Sequence, residues 1–288
     1  MTKTIGNPLS WGAHALGALG RDAELVVREL GGDNPGARSG PVTVRRIGTE
    51  DLRAALRAGW EDFGAMRSDV IAAALLYPVI GAALFWAAGH QNLLPLIFPL
   101  ASGFAILGPA AAVGMYEMSR RREAGEPTGW LDGLHVLASP AFGAILELAA
   151  LLFGIFAVWM LTAWTIFQNT LGPALPATAQ AFLHDVLATP DGWAMIALGL
   201  PAGFVFAALV LSISVVAFPM LLDRHCGLPQ AMATSLEVAR RNPATVALWG
   251  LIVAVALLLG SLPLLLGLAV VLPVLGHATW HLYRRAVN

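Results

Sequence analysis

The sequence predicts an all-α membrane protein: six transmembrane helices as three repeated hairpins, each preceded by a cytosolic amphipathic helix, with both termini cytoplasmic. Three observations predict it. The 288 residues are 57% hydrophobic and 12% charged, about half the charge of a soluble domain. Six apolar stretches are long enough to span, near 69–89, 94–118, 141–166, 193–220, 243–260 and 262–283. All 17 basic residues fall on one side of those stretches.

Residues 1–48 read as a polar cytosolic tail, with an amphipathic segment at 11–30 and the flexible linker "GGDNPGARSG" at 31–40. They hold no uninterrupted apolar run of signal-peptide type, so the first span is expected to act as its own signal anchor. The transmembrane domain follows over 49–288, with repeats at about 49–122, 128–224 and 228–286.

Each repeat opens on a leader: "DLRAALRAGWEDFGAM" (51–66), "WLDGLHVLASPAFGAI" (130–145) and "LPQAMATSLEVARRNPATV" (228–246). Ser139-Pro140 and Asn242-Pro243 place a capping residue before a proline suited to the first helical position. Ser68-Asp69 keeps the cap without the proline. The hairpins also end alike, "GPAAAVGMYEMSRR" (108–121) matching "LPVLGHATWHLYRR" (272–285) from proline to paired arginine. The end of the second, "SISVVAFPMLLDR" (212–224), matches less closely. Three units of one orientation predict a pseudo-threefold bundle about the membrane normal. The segment 176–189, at the opposite end, reads as an amphipathic helix lying on the membrane.

The basic residues set the orientation. They occur before the first span and at Arg120, Arg121, Arg122, Arg224, Arg240, Arg241, Arg284 and Arg285. The opposite loops, 90–93 and 167–192, carry only Asp185 and Asp191. The positive-inside rule puts the arginines in the cytoplasm. Sixteen of the 17 basic residues are arginine, which fits a GC-rich bacterial coding sequence and hence a bacterial inner membrane.

The strings "LLYPVIG", "FPLASGFAILGPAAAVGMYEMSRRREAGEP", "ISVVAFPMLLDR" and "GLIVAVALLLGSLPLLLGLAVVLPVLGHATWHLYRR" resemble a bacterial family of predicted integral membrane proteins of unknown function. The resemblance covers about residues 45–286 and implies no established activity. Some members carry the label cytochrome c oxidase subunit I. One haem takes axial ligands from opposite faces of its ring, so a single helix cannot supply both. An oxidase subunit I also has more spans and a set of buried histidines, which this chain lacks.

His277 and His281 lie four apart on one helix face, a spacing that can hold one metal ion. Measured from Arg284, His277 lies roughly 10 Å and His281 roughly 5 Å into the inner leaflet. The competing reading is an interfacial belt, with Trp280, His281 and Tyr283 at the water line and Arg284 and Arg285 as anchors. The repeat favours the belt, since Tyr116 and Glu117 stand where Trp280 and His281 stand. Glu117, His281 and Asp223 are the interfacial candidate ligands, and Arg120, Arg121, Arg122, Arg284 and Arg285 the headgroup and topology residues. Glu147 is the acid placed clearly inside a span. Intramembrane carboxylates usually face a bundle interior, so two readings stand side by side: a Glu147–His277 hydrogen-bonded pair across the bundle, and a protonated glutamate bonded to a backbone carbonyl. Prolines 78, 99, 109, 201, 219, 263 and 273 read as tolerated kinks in closely packed helices.

The single cysteine, Cys226, excludes an intrachain disulfide, and a net charge of −1 gives nucleic acid no footing. Walker, G-x-G-x-x-G, C-x-x-C, H-E-x-x-H and G-x-S-x-G motifs are absent, so no enzyme and no cofactor are expected. The expected function is a non-enzymatic accessory protein that binds lipid or a larger membrane complex. The alternatives are a small-molecule or ion transporter using Glu147, and a haem or metal protein using His277 and His281.

Overall fold

The computed structural model describes residues 42–66, 79, 86 and 94–288, apart from 177, 225 and 264. The tail to residue 41, the first expected span but for two isolated positions, Ser68-Asp69, Pro78, His90 and His225 lie outside the described residues.

Among the described residues the chain is helical. The elements are α1 (Thr49–Ala65), a 3₁₀ turn (Leu94–Leu96), α2 (Ile97–Ala111), α3 (Val113–Glu123), a 3₁₀ helix (Trp130–Ala138), α4 (Phe142–Gln168), α5 (Ala179–Ala188), α6 (Pro190–Ser214), α7 (Ala217–Arg224), α8 (Leu228–Arg241), α9 (Pro243–Ser261) and α10 (Leu268–Ala286).

Four runs are long and apolar enough to cross a membrane: Leu94–Glu123, Phe142–Gln168, Pro190–Arg224 and Pro243–Ser261. They coincide with the second to fifth expected spans. Their large apolar side chains point outward, among them Leu146, Phe153 and Leu161 on α4, Phe204 and Leu209 on α6, and Leu251 and Leu258 on α9. Outward leucines of this density suit lipid, not water. Between these helices Trp159 is buried, donating its indole N–H to Ser102 Oγ at 2.8 Å and lying 5.5 Å from the Phe206 ring.

The sixth expected span, 262–283, takes a different form. The chain breaks after Ser261 and restarts as α10 at Leu268, and α10 is not one of the four candidate spans. The reason is composition: α10 has 19 residues, as many as α9, but its second half carries His277, His281, Arg284 and Arg285 after the apolar Leu268–Gly276.

The best-buried part of the molecule is its arginine-bearing end. Val216, Ala217, Phe218, Met220, Leu221, Trp280, Leu282 and Tyr283 are all at most 1% exposed. α3, α7 and α10 pack pairwise on one another there. Three further elements surround them: α1 packs on α10, the 3₁₀ helix on α3, and α8 on α7. α1 fits because Leu52, Ala55, Gly59 and Asp62 form its buried stripe, the three-four spacing of a packed helix face. A Cβ on Gly59 would stand 2.5 Å from the backbone nitrogen of Ala278, so glycine permits this approach.

Residues 42–48, expected as the end of the polar tail, are pinned across the last turn of α10. Val44 bridges Val287, Arg45 N donates to Ala286 O at 2.9 Å, and Asn288 N donates to Thr43 O at 3.0 Å.

The helix boundaries differ in two places from the expected caps. Pro140 lies in a turn before α4, which starts at Phe142, although Ser139 Oγ does accept from Ala141 N at 3.2 Å. Pro243 does open α9, but the Asn242 side chain makes no cap. Its Oδ1 accepts from Ile47 N at 2.9 Å and its Nδ2 donates to Arg45 O at 3.1 Å. The long-range partner has taken the capping oxygen. At the opposite end Thr189 does cap, accepting from Gly192 N at 3.0 Å, with Pro190 first in α6.

Candidate functional site

Three helices carry the polar centre of the molecule. α1 and α10 run antiparallel, as the contacts Asp51–Arg285 and Gly59–Ala278 require. α3 runs parallel to α10, with Met115 against Gly276 and Glu123 bonded to Trp280. α1 contributes Asp62, α3 contributes Ser119 and Arg122, and α10 contributes His277 and His281.

His277 is fully buried, Ser119 1% and Asp62 6% exposed. Ser119 Oγ donates to Asp62 Oδ2 at 2.5 Å and lies 2.9 Å from His277 Nδ1. His281 Nε2 approaches the same Oδ2 at 2.8 Å. Arg122 Nη1 stands 3.3 Å from Asp62 Oδ1 and donates to Glu61 O. Burial pushes the Asp62 carboxyl up, but the hydrogen bonds from His281 and Ser119 and the electrostatic influence of the two histidines outweigh it. The net shift is downward, so Asp62 is a carboxylate and an acceptor. The Ser119 proton is then committed to Asp62, and its oxygen accepts from His277. These bonds assign the His277 proton to Nδ1 and leave Nε2 a bare lone pair. Nε2 is buried and makes no hydrogen bond.

The expected Glu147–His277 pair is not formed. His277 is bonded to Ser119, and α10 packs on α1, α3, α7 and α9, whereas α4, which carries the half-buried Glu147, packs chiefly on α2 and α6. The two residues belong to different neighbourhoods. The water-line belt is also corrected: Trp280 and Tyr283 are interior, at 1% and 0% exposure. Trp280 donates to Glu123 Oε2 at 2.9 Å and Tyr283 to Asp223 Oδ2 at 2.7 Å.

The remaining candidates hold helices together. Glu117 is buried and takes a two-bonded grip from Arg120, both bonds 2.7 Å. Arg121 pairs with Glu126 and Asp132, Arg284 with Glu123 and Asp223, and Arg285 with Asp51. His277 and His281 each spend one nitrogen on a different partner, Ser119 and Asp62, instead of converging on a shared point. Among the described residues no three His, Cys, Asp or Glu side chains are grouped to hold a metal. Cys226 is buried, and burial pushes its thiol up to about 11.

Sequence reasoning missed Asp62 and Ser119. The available signal was an acid in the small-residue stripe Ala55, Gly59, Asp62, where a surface helix places apolar groups.

No curated protein and no solved structure matches the chain. A family described as predicted integral membrane protein (DUF2189) matches residues 97–223, the stretch from α2 to Asp223 in α7.

Proposed function

We propose that this is a six-span protein of a bacterial inner membrane, both termini cytoplasmic, acting as a non-enzymatic accessory protein that binds the lipid of the cytoplasmic leaflet. Six passes are supported by the arginine-bearing layer. Arg241 before α9 and Arg285 at the end of α10 both reach into it, through Val44 and Asp51. The chain between them therefore leaves and returns.

A threefold plan is supported by the packing of the leaders. The first leader, α1, lies on the third hairpin's end, the second on the first, and the third on the second. This cyclic order is what three like units around one axis give.

Lipid binding rests on one observation. Leu131, Leu134 and Leu137 on the 3₁₀ helix are 58%, 54% and 63% exposed. A 3₁₀ helix has three residues per turn, so they form a single outward row. Beside them a shallow cleft is lined by the paired charges Arg120 and Glu117, and Arg121 and Glu126, with His135 and Ser139. An outward row of leucines beside a polar, charge-paired cleft fits the acyl–headgroup boundary of a leaflet. A polarity-sensitive fluorophore on Leu134→Cys, in a Cys226→Ser background, tests it. Reconstitution into vesicles containing phosphatidylglycerol is expected to shift its emission to the blue. Emission equal to that of a water-exposed label would refute the reading.

A further inference from the structure

We propose that His277 Nε2 and the thioethers of Met66 and Met115 form a binding site for a monovalent soft metal ion, Cu(I). The site is independent of the lipid reading.

The three helices repeat one pattern at two levels. At the lower level stand Asp62 on α1, Ser119 on α3 and His281 on α10, joined by hydrogen bonds. Four residues away stand Met66, the C-cap that closes α1, and, one helical turn along α3 and α10, Met115 and His277. α1 runs against α3 and α10, so counting up from Asp62 and down from Ser119 and His281 leads in the same direction. The register therefore brings His277 and the two methionines to the same level of the three-helix junction. Met66 and Met115 are 4% and 7% exposed and form, with Met118, a buried cluster of their own.

The lower level prepares the upper one. A histidine that ligates a metal typically gives its other ring N–H to an oriented acceptor, which fixes its tautomer. Asp62 and Ser119 do this for Nδ1, leaving Nε2 buried, unprotonated and without a partner. A buried nitrogen lone pair with no bond is a costly feature, and a metal ion would satisfy it. Thioether and imidazole are soft and intermediate donors without charge, a set that selects Cu(I) over Zn²⁺, Mg²⁺ or Ca²⁺. Binding forms three coordinate bonds and changes no oxidation state.

The test is anaerobic titration of the full-length protein in detergent with Cu(I), kept reduced by ascorbate, against the chromogenic chelator bicinchoninate. One Cu(I) per chain is expected. Met66→Leu and Met115→Leu keep side-chain volume and are each expected to weaken binding by about tenfold or more, as is Ser119→Ala. Met220→Leu, a buried methionine elsewhere, is expected to leave it unchanged. X-ray absorption on the Cu(I)-loaded wild type gives a readout that no misfolded variant can confuse: sulfur scatterers with one nitrogen are expected. Failure to bind stoichiometric Cu(I), wild-type affinity in the Met66→Leu/Met115→Leu double variant, or a shell of nitrogen and oxygen alone would each overturn the proposal.

Discussion

His277 and Ser119, 158 positions apart in sequence, meet at 2.9 Å inside the junction of α1, α3 and α10. The hydroxyl serves two buried groups, the imidazole and the Asp62 carboxylate. Ser119→Ala would strand a buried N–H and remove one bond from a buried carboxylate. A lost partner of this kind costs about 1–3 kcal/mol. Thermal unfolding in detergent should show a lower Tm for Ser119→Ala. An unchanged Tm would mean that solvent reaches the cluster.

Gly59 sets the distance between α1 and α10, since any Cβ there meets the Ala278 backbone. Gly59→Leu should lever α1 away at a cost of about 1–3 kcal/mol. Amide exchange should rise across 49–66 while α4 and α6 keep their protection. Uniform loosening of the whole chain would contradict the view of α1 as a strap on a preformed bundle.

Asn242 joins the start of α9 to the strand-like segment before α1 through Ile47 N and Arg45 O. Asn242→Ala should release residues 42–48, seen as new proteolytic cleavage there, and should lower stability by about 1–3 kcal/mol. Asn242→Asp keeps the acceptor for Ile47 N and should fall between Asn242→Ala and the wild type.

Cys226 is buried with its thiol raised to about 11. The thiolate is the reactive form, so maleimide labelling near pH 8 should be slow in the folded protein and fast after denaturation. The sign also sets a pH dependence. An acid whose folded pKa is raised above its unfolded value favours the unfolded state once the unfolded thiol would lose its proton. Folding therefore loses stability as pH climbs from the ordinary thiol range towards 11, with deprotonation easier in the unfolded chain. Rapid labelling of native protein would contradict this burial.

Four of the six expected spans were legible and the site was not, for one physical reason. Lipid demands an unbroken apolar run with every backbone group bonded internally, so α4, α6 and α9 are written locally in the sequence, and their ends fall within a few residues of expectation. The arginine-bearing layer depends on faces that meet from distant segments. Nothing near Asp62 in sequence reveals that His281 and Ser119 will reach it. His277 was legible as a buried histidine but not with its partner: Glu147 was chosen for similar depth, whereas the fold set α1 against α10. Asn242-Pro243 reads as a local cap, yet the tertiary hydrogen bond to Ile47 outcompetes the local one. Trp280 and Tyr283 read as interfacial by type, and only the arrival of α1, α3 and α7 makes them core.

The proposed orientation puts all described arginines on the cytoplasmic side and α5 on the other. Membrane-impermeant thiol labelling tests it most directly, using Arg53→Cys on α1 and Gln180→Cys on α5 in a Cys226→Ser background. Both parent side chains lie on exposed positions. In intact spheroplasts the account predicts labelling at position 180 and none at 53, with the reverse in inverted vesicles. Labelling of both from the same face, or of position 53 from outside, would contradict it.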